Sequence, residues 1–149
     1  MSRVSFEALG GELGKYLSHA FNKVSLQNDN QGDGEVFVIE EQSNGLIALA
    51  CIGGESGKYL SHAFEEVSLQ DGIQGDGERW MLEDVGNGRV ALGCVGGEFG
   101  KYLSHAFEKV SLQDSIQGDG EKWIKHSSWV EKALKVSITW VLLIKNSFY

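Results

Sequence analysis

The segment GKYLSHAF occurs three times in this chain of 149 residues, beginning at Gly14, Gly57 and Gly100. The copies are 43 residues apart, and no insertion separates them. Over 22 positions, residues 57–78 and 100–121 differ only at Glu66/Lys109 and Gly72/Ser115. A repeat of this length indicates a fold in which each copy forms one supersecondary unit and buries its apolar face against its neighbours.

Within each copy the apolar residues recur with a period of two, which predicts β-strands. The first strand of the three copies carries apolar residues at matching positions: Val4, Phe6 and Ala8; Ile47, Leu49 and Cys51; Val90, Leu92 and Cys94. A second predicted strand covers KYLSHAF, a third covers VSLQ, and a fourth runs through ERWMLE with Trp80 and Leu82 on one face. Glycine-rich segments and two Asn-Gly pairs separate the strands, and such pairs are typical of β-hairpin turns.

Four strands in each of three copies give twelve strands, an arrangement that predicts an all-β fold, the β-trefoil. An open solenoid is the alternative, but it requires capping repeats and exposes sheet edges that a closed fold removes. We therefore predict a trefoil domain over residues 1–126, with repeats at about 3–45, 46–88 and 89–126. The chain has 20 glycines and no proline, so glycine, asparagine and aspartate must form its turns.

Residues 127–149 have no counterpart upstream and form a predicted C-terminal extension. Ser128 and Glu131 fit a capping box, and Trp129, Ala133 and Val136 continue along one helical stripe, so the first half of the extension is predicted to be helical. The β-branched run at 136–144 favours a strand instead, and the second half stays open. Self-association through residues 129–144 is one expected role of this apolar segment.

The formal net charge is −8, and residues 1–123 alone carry 20 acidic and 9 basic side chains. Nucleic acid is not expected as a partner, because phosphate binding requires clustered Lys and Arg. No stretch approaches the length of a membrane span, and the first residues lack the apolar core of a signal peptide. Two cysteines without such a leader suggest reduced thiols, so we expect a cytoplasmic location.

The order of motifs resembles the fascin-like branch of the β-trefoils, which includes the fascins and the hisactophilins. The resemblance rests on VALGCVGGEFGKYLS, then VSLQ, then GDGERWMLE, recurs in each copy and covers residues 3–124. It implies a β-trefoil that associates with actin filaments or with another protein partner.

A second hypothesis is a trivalent carbohydrate-binding lectin with one shallow site in each repeat. Aromatic faces together with amide and carboxylate groups bind sugars, and each copy offers Tyr, His, Gln and Asp at equivalent positions. The candidate ligand-binding residues are Tyr16, His19, Gln27, Asp33, Tyr59, His62, Gln70, Asp76, Tyr102, His105, Gln113 and Asp119. The three equivalent histidines are also compatible with a metal site on the threefold axis or with a pH-sensitive loop, but no metal and no cofactor is expected.

No catalytic motif occurs in the sequence with the residue types and spacing that it requires. The Gly100-Lys101 pair is followed by tyrosine instead of the Ser or Thr of a phosphate-binding loop, and Cys51 and Cys94 occupy the inward strand position of Ala8. We therefore expect a non-enzymatic binding protein.

Overall fold

Twelve β-strands form in the computed structural model of the chain, which describes residues 2–28 and 32–127. The alternating apolar residues identified in the sequence lie in these strands. Their bounds are β1 Ser2–Ala8, β2 Lys15–Ser18, β3 Ser25–Asn28, β4 Phe37–Glu41, β5 Ile47–Cys51, β6 Lys58–Ser61, β7 Ser68–Asp71, β8 Trp80–Gly86, β9 Arg89–Cys94, β10 Lys101–Ser104, β11 Ser111–Asp114 and β12 Trp123–Ser127.

Six of the strands close into an antiparallel barrel. Strand β1 pairs with β4, β4 with β5, β5 with β8, β8 with β9, β9 with β12, and β12 returns to β1. The other six form three hairpins, β2–β3, β6–β7 and β10–β11, each joined to the barrel strand that precedes it. Three copies of one four-strand unit around a closed barrel are the β-trefoil that the sequence predicts.

The core lies inside the barrel and beneath the hairpins. Phe6, Leu49 and Leu92, the central residues of the first strand of each repeat, are completely buried. The hairpins contribute Leu17, Leu60 and Leu103, which are also completely buried. In two repeats a tryptophan ties the layers together, because the Nε1 groups of Trp80 and Trp123 donate to the carbonyl oxygens of Leu60 and Leu103 at 3.1 and 3.2 Å.

The second strand of each repeat is shorter than the sequence prediction. KYLSHAF was expected to be one strand, but β2 ends at Ser18 and its equivalents end at Ser61 and Ser104. The serine hydroxyl accepts the backbone N–H two residues later, at 3.1 Å in all three repeats. This local bond turns the chain at the histidine and replaces the ladder that a longer strand would need.

The Asn-Gly pairs form tight turns, as predicted. Asn87 and Gly88 connect β8 to β9 directly, and both have φ in the left-handed region, at 56° and 76°. Two consecutive residues of this kind match the twist of the flanking strands.

Strand β12 continues to Ser127, where the described part of the chain ends. The predicted helix and the proposed self-association at 129–144 lie outside the described residues. Within the described ranges, no helix has the length and hydropathy needed to cross a membrane.

Candidate functional site

The three repeated histidines are structural residues of the repeat junctions. Each follows the second strand of its repeat and is completely buried. The Nδ1 atoms of His19, His62 and His105 lie 2.7–2.8 Å from the Oε1 atoms of Glu55, Glu98 and Glu12, in the next repeat around the barrel. Each Nε2 lies 2.9 Å from a backbone carbonyl oxygen of its own repeat.

Both ring nitrogens of each histidine therefore contact other protein groups, and none of the three lines the hollows described below. His105 closes the circle, because its partner Glu12 belongs to the first repeat. The rings of His62 and His105 also stand edge-on to Trp80 and Trp123, with centroids 4.7 and 4.8 Å apart. In residues 2–28 and 32–127 no group of three His, Cys, Asp or Glu side chains is arranged to hold a metal ion.

The aspartate of each QGDG turn also packs across a junction. A Cβ built on Gly96 would lie 2.9 Å from the Cβ of Asp76, and the same relation joins Gly53 to Asp33 and Gly10 to Asp119. Gly96 has φ of 76°, so both its backbone conformation and its close neighbour require glycine. The repeated GGE and QGDGE motifs are thus complementary halves of one interface between repeats.

The tyrosines lie against barrel carboxylates and line neither of the two hollows described below. Tyr59 donates from its hydroxyl to Glu40 at 2.7 Å, and this hydrogen bond raises the pKa of the phenol. A hydrogen bond to Glu83 raises the pKa of Tyr102 in the same way. Tyr16 lies 3.5 Å from Glu7 and packs against the ring of His126.

A phenylalanine that follows each buried histidine by two positions is the most exposed large apolar residue of its repeat. Phe21, Phe64 and Phe107 are 82%, 91% and 86% exposed. All three have φ of 60–62°, in the left-handed region that β-carbon sterics disfavour by about 1–2 kcal/mol per residue. A bulky residue held exposed in a strained conformation, three times over, points to a functional role for the ring.

Shallow hollows adjoin two of these rings. In the first repeat the hollow is about 170 Å³ and is lined by Ala20, Phe21, Gln27, Gly32, Asp33, Gly34 and Glu35. In the third repeat it is about 210 Å³ and is lined by Ala106, Phe107, Gln113, Gln117, Gly118, Gly120 and Glu121. Of the residues predicted for each site, Gln27 and Asp33 line the first hollow and Gln113 lines the third.

The glutamine of each hollow has a fixed orientation. Gln27 and Gln113 donate from Nε2 to the serine hydroxyl two residues earlier, at 3.1 and 3.3 Å, and Gln70 in the second repeat does the same at 3.1 Å. This contact occupies a donor and leaves the amide oxygen as an oriented acceptor beside the phenylalanine.

Each hollow includes the buried glutamate of its QGDGE turn, Glu35 in the first repeat and Glu121 in the third. Glu121 is 3% exposed; it accepts the Ser104 hydroxyl at 2.8 Å and the Gln117 backbone N–H at 2.9 Å. Glu78 makes the equivalent pair of contacts with Ser61 and Gln74. Both oxygens of the Glu78 and Glu121 carboxylates accept hydrogen bonds from their own repeat, and these contacts rigidify the turn.

Sequence reasoning missed the phenylalanines because an apolar residue after KYLS looks like the continuation of an alternating strand. The sequence signal that could have revealed them is the alternation of inward-facing and outward-facing positions along the strand. Leu17 and His19 face inward, so Phe21 would also face inward in a continuous strand, next to an already filled core position. The chain turns at the histidine instead and carries the ring into solvent.

The two cysteines lie in the barrel, in surroundings that do not favour a reactive thiolate. Cys51 and Cys94 are free thiols, 3% and 0% exposed. Burial, reinforced by a nearby glutamate, raises the pKa of each thiol to about 12. They pack as small apolar residues.

No protein-family model matches the chain, and no curated protein matches it. Solved structures do. The designed three-fold symmetric protein ThreeFoil has a TM-score of 0.68 at 19% identity, over 83% of this chain and 96% of that one. SeviL, solved bound to asialo-GM1 saccharide, has a TM-score of 0.70 at 17% identity, over 87% of this chain and 99% of that one.

Hisactophilin has a TM-score of 0.64 at 22% identity, over 85% of this chain and 98% of that one. At these identities the likeness shows a shared β-trefoil fold. It does not distinguish a fascin-like branch from the lectins that share the fold.

Proposed function

We propose that this protein is a non-enzymatic, multivalent carbohydrate-binding protein with one shallow site in each repeat. The observation that carries the proposal is the exposed phenylalanine held at positive φ beside an oriented glutamine amide. The site residues are Phe21, Gln27 and Asp33, then Phe64, Gln70 and Asp76, then Phe107, Gln113 and Asp119. This set replaces the histidines and tyrosines of the sequence hypothesis with the phenylalanines.

The chemistry of the hollow suits a sugar. A phenyl face packs against the C–H groups of a pyranose, while the glutamine oxygen of each hollow and the Asp33 carboxylate of the first accept hydrogen bonds from hydroxyl groups. The hollows are open and shallow, which suits a terminal sugar better than a large apolar ligand.

Threefold repetition adds avidity to weak individual sites. Equivalent residues of a pseudo-threefold fold lie at one height along its axis, so three sites can engage one multivalent surface at the same time. The linked sites then bind far more tightly than one site does. SeviL, a trefoil of similar size, was solved with a saccharide bound, which supports the general suitability of the fold.

A glycan array probed with the full chain tests the proposal, followed by titration of the best glycan by calorimetry. The informative variant is Phe21→Asn, Phe64→Asn and Phe107→Asn combined, because asparagine tolerates the left-handed backbone but removes the ring. We expect at least a tenfold loss of affinity.

The matched control is Phe99→Ser, which removes another exposed phenyl ring, 72% exposed and outside both hollows. Serine already stands at the equivalent position 56 in the second repeat. Absence of any glycan signal, or equal affinity of the triple variant and the wild-type chain, would rule out the proposal.

Binding to actin filaments or to another protein is the second candidate function. It is favoured by two further exposed side chains, Leu13 and Phe99, which extend the apolar surface beyond the hollows at two of the three junctions. Protein interfaces commonly centre on exposed aromatic residues. Lys15 and Lys101, two positions after Leu13 and Phe99, are already paired with Glu108 and Asp114.

Co-sedimentation with filamentous actin at low and at physiological salt tests this second candidate. The expected result is pelleting that Phe99→Ser and Leu13→Ser weaken. Lack of pelleting at low salt would exclude actin as the partner.

A further inference from the structure

The end of the barrel farthest from the hairpins is closed by one layer of inward-facing strand positions, two from each repeat. Five of the six positions carry aliphatic residues that are buried or half-buried, and the sixth carries a lysine. The layer consists of Val4, Ile39, Ile47, Leu82, Val90 and Lys125. Lys125 thus stands where the first two repeats have Ile39 and Leu82.

The pairing register shows that Lys125 belongs to the interior face. In the antiparallel pair of β1 and β12, Ala8 stands opposite Trp123, and both residues are buried. Phe6 stands opposite Lys125 two residues along, and directly opposed residues share one face of a sheet. Phe6 is completely buried, whereas Lys125 is exposed, so its side chain leaves the layer and does not fill it.

A hollow of about 330 Å³ opens at this point, larger than either hollow beside a phenylalanine. It is lined by Leu82, Asp84, Gly88, Arg89, Val90 and Lys125. Half-buried Leu82 and Val90, which pack on the core, form its apolar floor. The volume is at the lower end of the roughly 300–1,000 Å³ typical of small-molecule sites.

Comparison with the preceding junction explains why the hollow occurs here. Leu46 and Leu82 occupy the second-repeat positions equivalent to Arg89 and Lys125. Two aliphatic residues of one junction are therefore replaced by two cations at the next. The third junction has Arg3 and Ile39 at these two positions, so a pair of cations occurs at this junction alone and has no part in the threefold set of phenylalanine sites.

The two cations are available to a ligand. Neither Arg89 nor Lys125 forms an ion pair within the described residues. The Asp84 carboxylate on the same rim accepts the Gly86 backbone N–H at 2.8 Å and so is held by its own turn. With two cations and one carboxylate, this rim is net positive although the chain as a whole carries a formal charge of −8.

We propose that this hollow, at the open end of the barrel between β8, β9 and β12, binds an organic anion with an apolar body and one carboxylate or sulfonate group. The body packs on Leu82 and Val90, and the anionic group pairs with Arg89 and Lys125. A guanidinium and an ammonium group together give a charge-assisted contact that a neutral ligand cannot make. This site is independent of the proposed glycan sites.

Two matched fluorescent probes test the proposal on the full chain: 1-anilinonaphthalene-8-sulfonate and its neutral counterpart N-phenyl-1-naphthylamine. We expect the sulfonate to bind with one-to-one stoichiometry and at least tenfold more tightly than the amine. The combined variant Arg89→Leu and Lys125→Leu restores the residues of the preceding junction, and we expect it to weaken sulfonate binding at least tenfold.

Lys23→Leu combined with Lys109→Leu is the control, since it removes two exposed cations elsewhere and changes the net charge equally. The triple phenylalanine variant must also retain sulfonate binding. Loss of binding in that variant would place the probe on the exposed rings and overturn the proposal. Absence of binding, equal affinity for the two probes, or an unaffected double variant would overturn it as well.

A second measurement does not depend on the variants folding. Amide chemical shifts of the wild-type chain, followed during titration with the sulfonate, are expected to move at residues 82–90 and 124–126. Shifts confined to other residues would contradict the assignment.

Discussion

The Nδ1 atom of His62 lies 2.8 Å from Oε1 of Glu98, and the two residues belong to consecutive repeats. The ring is completely buried, while the glutamate side chain is 15% exposed. The same contact recurs between the first and second repeats and between the third and first. Because the last of these contacts closes the circle, the three pairs hold the repeats together as one unit.

Removing the glutamate from one of these pairs is expected to destabilise the fold. Glu98→Ala leaves the buried Nδ1 group of His62 without its partner, and an unsatisfied buried donor costs about 1–3 kcal/mol. Urea unfolding followed by tryptophan fluorescence measures the change, since Trp80 packs edge-on against His62. Glu66→Ala, at an exposed position, is the control; equal losses in the two variants would contradict the role of the pair.

The junction glycines provide a second test of the same interface. Gly96→Ala places a Cβ 2.9 Å from that of Asp76 and keeps a φ of 76°, so we expect a loss of about 2 kcal/mol or more. The adjacent Gly97 has no atom within 4 Å of a built Cβ and an ordinary φ. Gly97→Ala should therefore be neutral or slightly stabilising in the same unfolding experiment. A reversed order would show that the Asp76 contact is not tight.

The sequence was sufficient to predict the trefoil because the repeat and the strand alternation are local signals. The inward face of a strand is identified by its own alternating residues, such as Val90, Leu92 and Cys94, whichever strand lies beside it. Three copies of a four-strand unit are compatible with few closed folds. The Asn87-Gly88 turn could also be predicted, because its conformation depends on two adjacent residues.

The candidate sites were less predictable because they depend on contacts between repeats. His62 and Glu98 are 36 residues apart, and only closure of the barrel brings them together. Without that contact the histidine looks like an available ligand, and Phe64 looks like a core residue of a longer strand. Gln70 could be named as a candidate from its repeated position alone, but Phe64 becomes a candidate only once the turn at His62 is known.

The barrel cysteines are expected to resist thiol reagents in the folded protein. With a pKa of about 12, the thiolate fraction at pH 8 is on the order of 10⁻⁴, and Cys51 and Cys94 are also shielded from solvent. Titration with Ellman's reagent at pH 8 should give slow reaction of the native chain and two rapid equivalents in denaturant. Rapid reaction of the native chain would contradict the burial of both thiols.

The raised pKa of the two thiols also determines how the stability of the protein changes at alkaline pH. The folded pKa is raised above the ordinary value near 9.0, so the unfolded chain releases these protons first. The contribution of the thiols to the free energy of unfolding is fully present below pH 9 and is lost as the pH rises towards 12. Replacing both cysteines by alanine, the residue at position 8, should flatten this part of the curve of unfolding free energy against pH. An unchanged slope would show that other groups control it.

The exposed phenylalanines should be unnecessary for stability, in contrast to the histidines two positions before them. Phe64 is 91% exposed and has φ of 60°, so Phe64→Asn removes almost no buried surface and relaxes a disfavoured conformation. We expect the free energy of unfolding to stay the same or to rise by up to about 1 kcal/mol. His62→Asn, which leaves a buried position partly empty and disrupts the ring's contacts with Glu98, Arg79 and Val95, is the contrasting variant and should lose several kcal/mol. If Phe64→Asn proved as destabilising as His62→Asn, the ring would be a packing residue, and the case for keeping a strained, solvent-exposed phenyl group for ligand binding would fail.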